Sequence, residues 1–421
     1  MKQGRDRATR RSFLSALAGA GSASLAAGLP QAPAIAQDTK PRIVPFYGAH
    51  QAGIVTPQQS HAYFAAFDLA ADKRGDLVAL MRDWSLAAAR LAAGEAPPGL
   101  EQADYSVEQD GAEMIGLGAE RLTITFGFGP SLFVKNGQDR FGLKAQRPEA
   151  FVDLPAFPGE QLAPTRTGGD LMVQLCADNP QVVFNAARAL SRRAYGVAKL
   201  RWVQSGFLSD YGAGKTPRNL MGFKDGTANP HADDTKDMSA LVWVGGEAPI
   251  WMRSGSYVVV RCARMALEHW ERMKIAFQEQ TFGRHKLSGA PLGKDSEFDA
   301  VDLSAVDKDG NPTVPENSHV GIARRASEAG MRILRRSYSY DDGANMTAER
   351  WPPWRQAMEF DAGLVFVCFQ RDVRTGFMPI FGKMSRSDML NQFVTNTGGG
   401  HWACPGGARD GDYVGRALLE A

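Results

Sequence analysis

Apolar and polar positions follow two periods along this chain. A period of two, the mark of a strand with one buried face, runs through 62–69, 122–126, 171–176 and 200–203. A period near 3.6 runs through 72–93, where Leu77, Leu80, Met81, Trp84, Ala88 and Leu91 share one face and predict a helix. A second helix is predicted over 179–192, opened by Asn179-Pro180, a capping residue followed by a first-turn proline. The order is β-α-β-β-α-β, the ferredoxin-like arrangement. The second half repeats it: strand 257–262, helix 266–280, strands 333–340 and 364–370, and a helix over 387–394 with Ser385 ahead of it as cap. The predicted fold class is α+β, two ferredoxin-like domains of the dimeric α+β barrel type, each an antiparallel sheet with helices. They join near 204–219, giving domains 37–210 and 211–421. The segment 283–319, rich in Gly, Pro, Asp and Ser, reads as a long functional insertion.

The length of 421 residues suits two such domains and lets cores form without disulfide staples. The charge is uneven. Residues 1–36 hold Lys2, Arg5, Arg7, Arg10 and Arg11 against Asp6 alone, which leaves 43 basic and 45 acidic side chains in the rest. The body therefore lacks the basic footprint of a nucleic-acid binder, and nucleic acid is excluded as a partner. The basic start, a diluted apolar stretch and Ala34-Ile35-Ala36 read as a signal peptide over 1–36. Thr9-Arg10-Arg11-Ser12-Phe13-Leu14 resembles the twin-arginine (Tat) export motif, so the expected location is the periplasm. Tat carries folded cargo, which favours a prosthetic group.

Several familiar motifs fail. Gly214-Lys215-Thr216 ends like a P-loop, but Ser209 stands where the first glycine belongs. Gly127-Phe128-Gly129 runs into Pro130 without a third glycine, so the dinucleotide fingerprint is absent. Cys176, Cys262, Cys368 and Cys404 have no ligand spacing. The first three sit in apolar runs, which predicts buried free thiols.

The most specific string is Gly222-Phe223-Lys224-Asp225-Gly226-Thr227-Ala228-Asn229-Pro230. Two glycines flank one carboxylate, so the backbone can pass close to a flat ligand while a single acid projects. G-x-x-D-G followed by T-A-N-P resembles the hallmark of the dye-decolorizing peroxidases, a haem family built from two ferredoxin-like domains. Tyr47-Gly48-Ala49-His50-Gln51-Ala52-Gly53-Ile54 resembles the N-terminal signature of its Tat-exported EfeB-type subgroup. Leu122–Gly129, Gly283-Arg284, Gly289–Leu292, Asn317-Ser318-His319-Val320, Leu334–Tyr338 and Gly363–Gln370 follow in family order. The resemblance covers nearly the whole mature chain.

The resemblance implies one haem b per chain, with His319 as the iron ligand. It implies Asp372 as the acid that receives the other imidazole N–H. Asp225 matches the distal acid–base and Arg335 its partner. A one-residue slip to Arg336 would turn the side chain to the other face of the strand. Gly222, Phe223, Lys224, Gly226, Thr227, Ala228 and Asn229 are the expected cofactor-binding loop, and Leu364 and Phe366 the apolar wall. Trp251, Trp270, Tyr338 and Trp402 are relay candidates by residue type, and His50 has no assigned role. The expected reaction is reduction of hydrogen peroxide with oxidation of an unknown donor. The alternatives are deferrochelatase activity, with haem as substrate and iron-transport partners, a non-enzymatic haem carrier, or an exported binding protein without haem. A homo-oligomer is expected.

Overall fold

The computed structural model describes residues 42–97, 112–209, 212, 215–348 and 356–421. The signal peptide expected over 1–36 lies outside the described residues, as does the expected domain boundary at 210–211.

The first half forms β1 (His61–Leu69), α1 (Arg74–Ala92), β2 (Thr123–Phe128), α2 (Pro130–Phe133), β3 (Leu171–Ala177), α3 (Pro180–Arg193) and β4 (Ala198–Phe207). The two long helices and all four strands match the predicted periods. Asn179 caps α3, its side chain accepting from Gln181 N at 2.9 Å. After α4 (Thr235–Leu241), the second half forms β5 (Ser256–Met265), α5 (Leu267–Trp270), α6 (Ile275–Phe282) and α7 (His319–Glu328). There follow β6 (Leu334–Arg335), β7 (Tyr338–Ala348), β8 (Gln356–Gln370), α8 (Phe377–Ser387), β9 (Val394–Cys404) and α9 (Arg416–Leu419).

Antiparallel pairing runs β4-β1-β3-β2 in the first half and β9-β5-β8-β7 in the second. The halves are not separate sheets. Phe128 pairs with Ala403 and Phe207 with Ser339, so edge strands of one half meet those of the other and close a barrel-like sheet. Closure removes exposed edges. Val258, Val260, Val365, Val367, Trp402 and Cys404 pack inside with Met172 and Tyr338. The opposite faces carry helices: α1 and α3 share a core with Phe67, Phe126 and Val173. Trp84 joins these helices by donating from its indole N–H to the Leu190 carbonyl at 2.9 Å. All four cysteines are buried and free of disulfides, as the apolar runs around Cys176, Cys262 and Cys368 predict for those three.

The second-half expectations need three corrections. The helix over 266–280 is broken into α5 and α6. The strand over 333–340 is interrupted at Arg336-Ser337, although β6 and β7 hold one register on β8. The helix over 387–394 lies earlier, as α8, with Ser385 inside it rather than capping. Residues Met389–Gln392 make only a short 3₁₀ turn before β9 begins. Pro379 suits the first turn of α8, where its missing N–H costs nothing.

Candidate functional site

The 222–230 loop, β6, β8, α7 and the turn after α8 bring the chemistry together. Gly222 and Gly226 hold φ values of 86° and 126°, which a Cβ would disfavour. They bend the loop so that Asp225 projects while its N–H donates to the Pro217 carbonyl at 2.9 Å. Arg335 Nη1 donates to Asp225 Oδ1 at 2.6 Å, and both side chains stay partly exposed, 28% and 26%. Asn229 fixes the arginine from behind. Its Nδ2 donates to the Arg335 carbonyl and its Oδ1 accepts from the Arg335 N–H, both at 2.9 Å. Arg336 faces the other way and is buried, donating to the Thr56 carbonyl and to Gln59 Oε1. Strand alternation therefore selects Arg335.

Leu364 and Phe366 share the half-exposed face of β8, while Val365 and Val367 point into the barrel. His319 is the first residue of α7. Ser318 caps that helix, its Oγ accepting from Gly321 N at 3.2 Å. His319 Nδ1 lies 2.7 Å from Asp388 Oδ2. Asp388 is itself held: its Oδ1 accepts from Leu390 N at 2.9 Å, and Met389 N donates to the Asn317 carbonyl at 3.0 Å. Burial pushes the imidazole pKa down, but the Asp388 charge and hydrogen bond outweigh it and hold the pKa above the ordinary value. Asp225 adds to the rise and Arg335 opposes it, so the fields of both reach His319.

The assignment of Asp372 as the acid beside His319 is wrong. Asp372 instead binds Arg374, accepting from Nη2 at 2.8 Å and from the Arg374 backbone N–H at 2.8 Å. The chain leaves β8 there and returns to His319 only after α8, at Asp388. The sequence signal for Asp388 was its place just before the apolar Met389-Leu390 pair, a capping position. Phe223 is 1% exposed, stacked on Phe282 at 4.0 Å within the core beneath the loop. Lys224 and Thr227 turn to Glu297 in the insertion. Lys224 Nζ pairs with Oε2, and Thr227 Oγ1 donates to Oε1 at 3.0 Å. These contacts anchor the loop, and Phe282, on which Phe223 stacks, lies 6.1 Å from the His319 ring. Ala228 is exposed. Trp251, Trp270, Tyr338 and Trp402 are all buried core residues, so none is a surface contact for a donor.

Asp388 occupies Nδ1, which leaves Nε2 of His319 as the lone-pair donor. One imidazole, two apolar side chains and a carboxylate–guanidinium pair fit a haem better than a bare ion. Among the described residues no cluster of three or more His, Cys, Asp or Glu side chains could hold one.

Comparison with known proteins identifies the family. Residues 51–208 match the family "Dyp-type peroxidase, N-terminal" and residues 216–409 "Dyp-type peroxidase, C-terminal". The chain is 36% identical to a Shigella flexneri protein named deferrochelatase over 92% of this chain and 90% of that one. It is 36% identical to the Escherichia coli K12 deferrochelatase over 91% and 89%. Among solved structures, the DyP-type peroxidase of Streptomyces coelicolor is 41% identical, with a TM-score of 0.80 over 90% of this chain and 97% of that one. Ferric DtpA from Streptomyces lividans is 40% identical at the same TM-score and coverage. This chain belongs to the Dyp-type peroxidase family.

Proposed function

We propose that the protein is a haem b peroxidase of the dye-decolorizing type, which reduces hydrogen peroxide and oxidises a donor. What supports this reading is the pair of built contacts, Arg335 on Asp225 at 2.6 Å and His319 on Asp388 at 2.7 Å, with the charges of Asp225 and Arg335 both acting on the His319 imidazole. His319 Nε2 would hold the haem iron, with Leu364 and Phe366 against the porphyrin. The group supplies, when bound, a redox-active iron that can accept peroxide oxygen.

The rest is done by side chains of this chain. Asp388 keeps the Nδ1 proton of His319 and makes Nε2 a stronger donor. Asp225, hydrogen-bonded to Arg335, would take the proton from the inner peroxide oxygen and return it to the outer one, which leaves as water. Arg335 stabilises the negative charge that grows on that outer oxygen as the O–O bond breaks. Asn229 holds the Arg335 backbone for this task through both its amide atoms. A non-enzymatic haem carrier needs only His319, so the built Asp225–Arg335–Asn229 arrangement speaks against it.

The test is an absorption spectrum of the protein loaded with haem, beside His319→Ala and Asp225→Asn. An intense Soret band that shifts in His319→Ala and responds to peroxide more slowly in Asp225→Asn supports the reading. A wild-type protein that takes up no haem overturns it.

A second reading rests on the relatives named deferrochelatase. The same slot then holds haem as substrate, and iron leaves while the porphyrin stays intact. Metal-free porphyrin in the product, rather than oxidised donor, would mark this activity. We further read residues 1–36 as a Tat signal delivering the protein to the periplasm, where iron-transport partners and self-association belong to the same proposal. Each half is read as one ferredoxin-like unit, supported by the shared strand order.

A further inference from the structure

Phe282 is the last residue of α6 and His319 the first of α7. Gly283 ends α6 in the left-handed region, with φ at 85°. A Cβ there would stand 2.8 Å from Ser318 Oγ and 3.3 Å from Val314 Cγ1. Conformation and space both exclude a side chain. Its absence lets the end of α6 lie against the serine that caps α7. The Phe282 ring thereby reaches the His319 ring, 6.1 Å between centroids with the planes inclined by 61°. This is an edge-to-face contact.

The loop with Asp225 meets the same phenylalanine. Phe223, two residues before Asp225, lies flat on Phe282 at 4.0 Å with the planes inclined by 5°. Trp270 packs against both rings, at 5.7 and 6.0 Å, and donates from its indole N–H to the Met221 carbonyl at 3.1 Å. Leu390, whose N–H is held by Asp388, belongs to this buried cluster too, with Met221 and Phe393. One apolar cluster therefore lies under the acid loop and under the Asp388 turn, and Phe282 is its member in ring contact with His319.

The Asp388 bond holds one atom of the His319 ring, Nδ1. The last side-chain torsion of histidine is broad, so rotamer preference alone does not set the ring plane. An aromatic edge against the ring stops the rocking that one hydrogen bond permits. Phe282 is itself buried in a close-packed cluster, with little room to follow the imidazole. We propose that Phe282 is a positioning residue, which fixes the plane of the His319 imidazole and ties that plane to the loop carrying Asp225. The proposal rests on the reading of His319 as the haem ligand. A haem iron senses the plane of its imidazole, because turning the ring changes which iron d orbitals its π system meets.

The test uses the ferric, haem-loaded protein with cyanide added, whose paramagnetically shifted haem methyl signals report the imidazole plane in proton NMR. Phe282→Leu keeps apolar bulk but removes the flat edge, so the fold should survive and the methyl signals should shift. Phe393→Leu is the control. Phe393 is buried in the same cluster, but its ring meets Trp270, Phe277 and His269, so its loss should leave the methyl pattern in place. Phe223→Leu alone should move the pattern, and combined with Phe282→Leu it should add no further shift. An unmoved pattern in Phe282→Leu, an equal shift in Phe393→Leu, or an undiminished Phe223 effect in the double variant would each overturn the proposal. The His319 ring protons are also followed in the protein without added haem. They should shift in Phe282→Leu, through the lost ring current, and stay in place in Phe393→Leu; the opposite result overturns the contact itself. This arm needs no haem, so its failure is distinct from a wild type that takes up no haem, which overturns the peroxidase reading.

Discussion

His319 Nδ1 and Asp388 Oδ2 stand 2.7 Å apart although 69 residues separate them in the chain. The contact joins the start of α7 to the turn after α8, and two further bonds from the same turn pin it. Replacing Asp388 with Asn keeps an acceptor for Leu390 N but removes the negative charge. Haem affinity is expected to fall about ten- to a hundredfold in Asp388→Asn. Asp372→Asn should leave it unchanged. Haem titration followed by absorbance checks both, and equal losses in the two variants would contradict the geometry.

Asn229→Ala removes both bonds that hold the Arg335 backbone, yet no group expected to meet peroxide. The reaction with peroxide should slow about tenfold while haem affinity stays within twofold. Asp225→Asn should cost more, about a hundredfold or greater, because it removes the proton carrier itself. Stopped-flow absorbance resolves the two effects.

His401 provides a pH handle on stability. Burial holds its imidazole neutral, lowering its pKa to about 4, while Nε2 bonds to the Val152 carbonyl at 2.9 Å. The unfolded chain takes up this proton near pH 6.5 and the folded chain only near 4. Stability from this group is therefore complete above pH 6.5 and is lost as pH falls toward 4. The loss is about 2 kcal/mol, allowing for partial exposure. Denaturant unfolding across that window should show a smaller slope in His401→Gln than in the wild type.

Glu297 couples the insertion to the 222–230 loop through Lys224 and Thr227. Burial alone would raise its pKa, but the bonds from Lys224, Thr216 and Thr227 outweigh that and hold it low. Glu297→Ala leaves the Lys224 charge partly buried and unpaired, at a cost of about 1–3 kcal/mol. Limited proteolysis should then cut between residues 283 and 319 sooner than in the wild type.

Local rules alone settled much of this protein. The residues of α1, the Asn179 cap and β1 to β4 follow from side-chain period and capping chemistry, which act over a few neighbours. The loop glycines allowed a projecting acid and alternation put Arg335 and Arg336 on opposite faces, while the family resemblance singled out Asp225 and Arg335. What tertiary structure decided lies at longer range. The polar groups of Lys224 and Thr227 were spent on Glu297, some 70 residues away, and no local pattern records that choice. The Asp372 assignment failed for the same reason. Two aspartates follow β8, and only the path of α8 determines which returns to His319. Closure of the sheet rests on single pairings between edge strands from opposite halves. Their partners are selected by the packed barrel interior rather than by either strand's sequence.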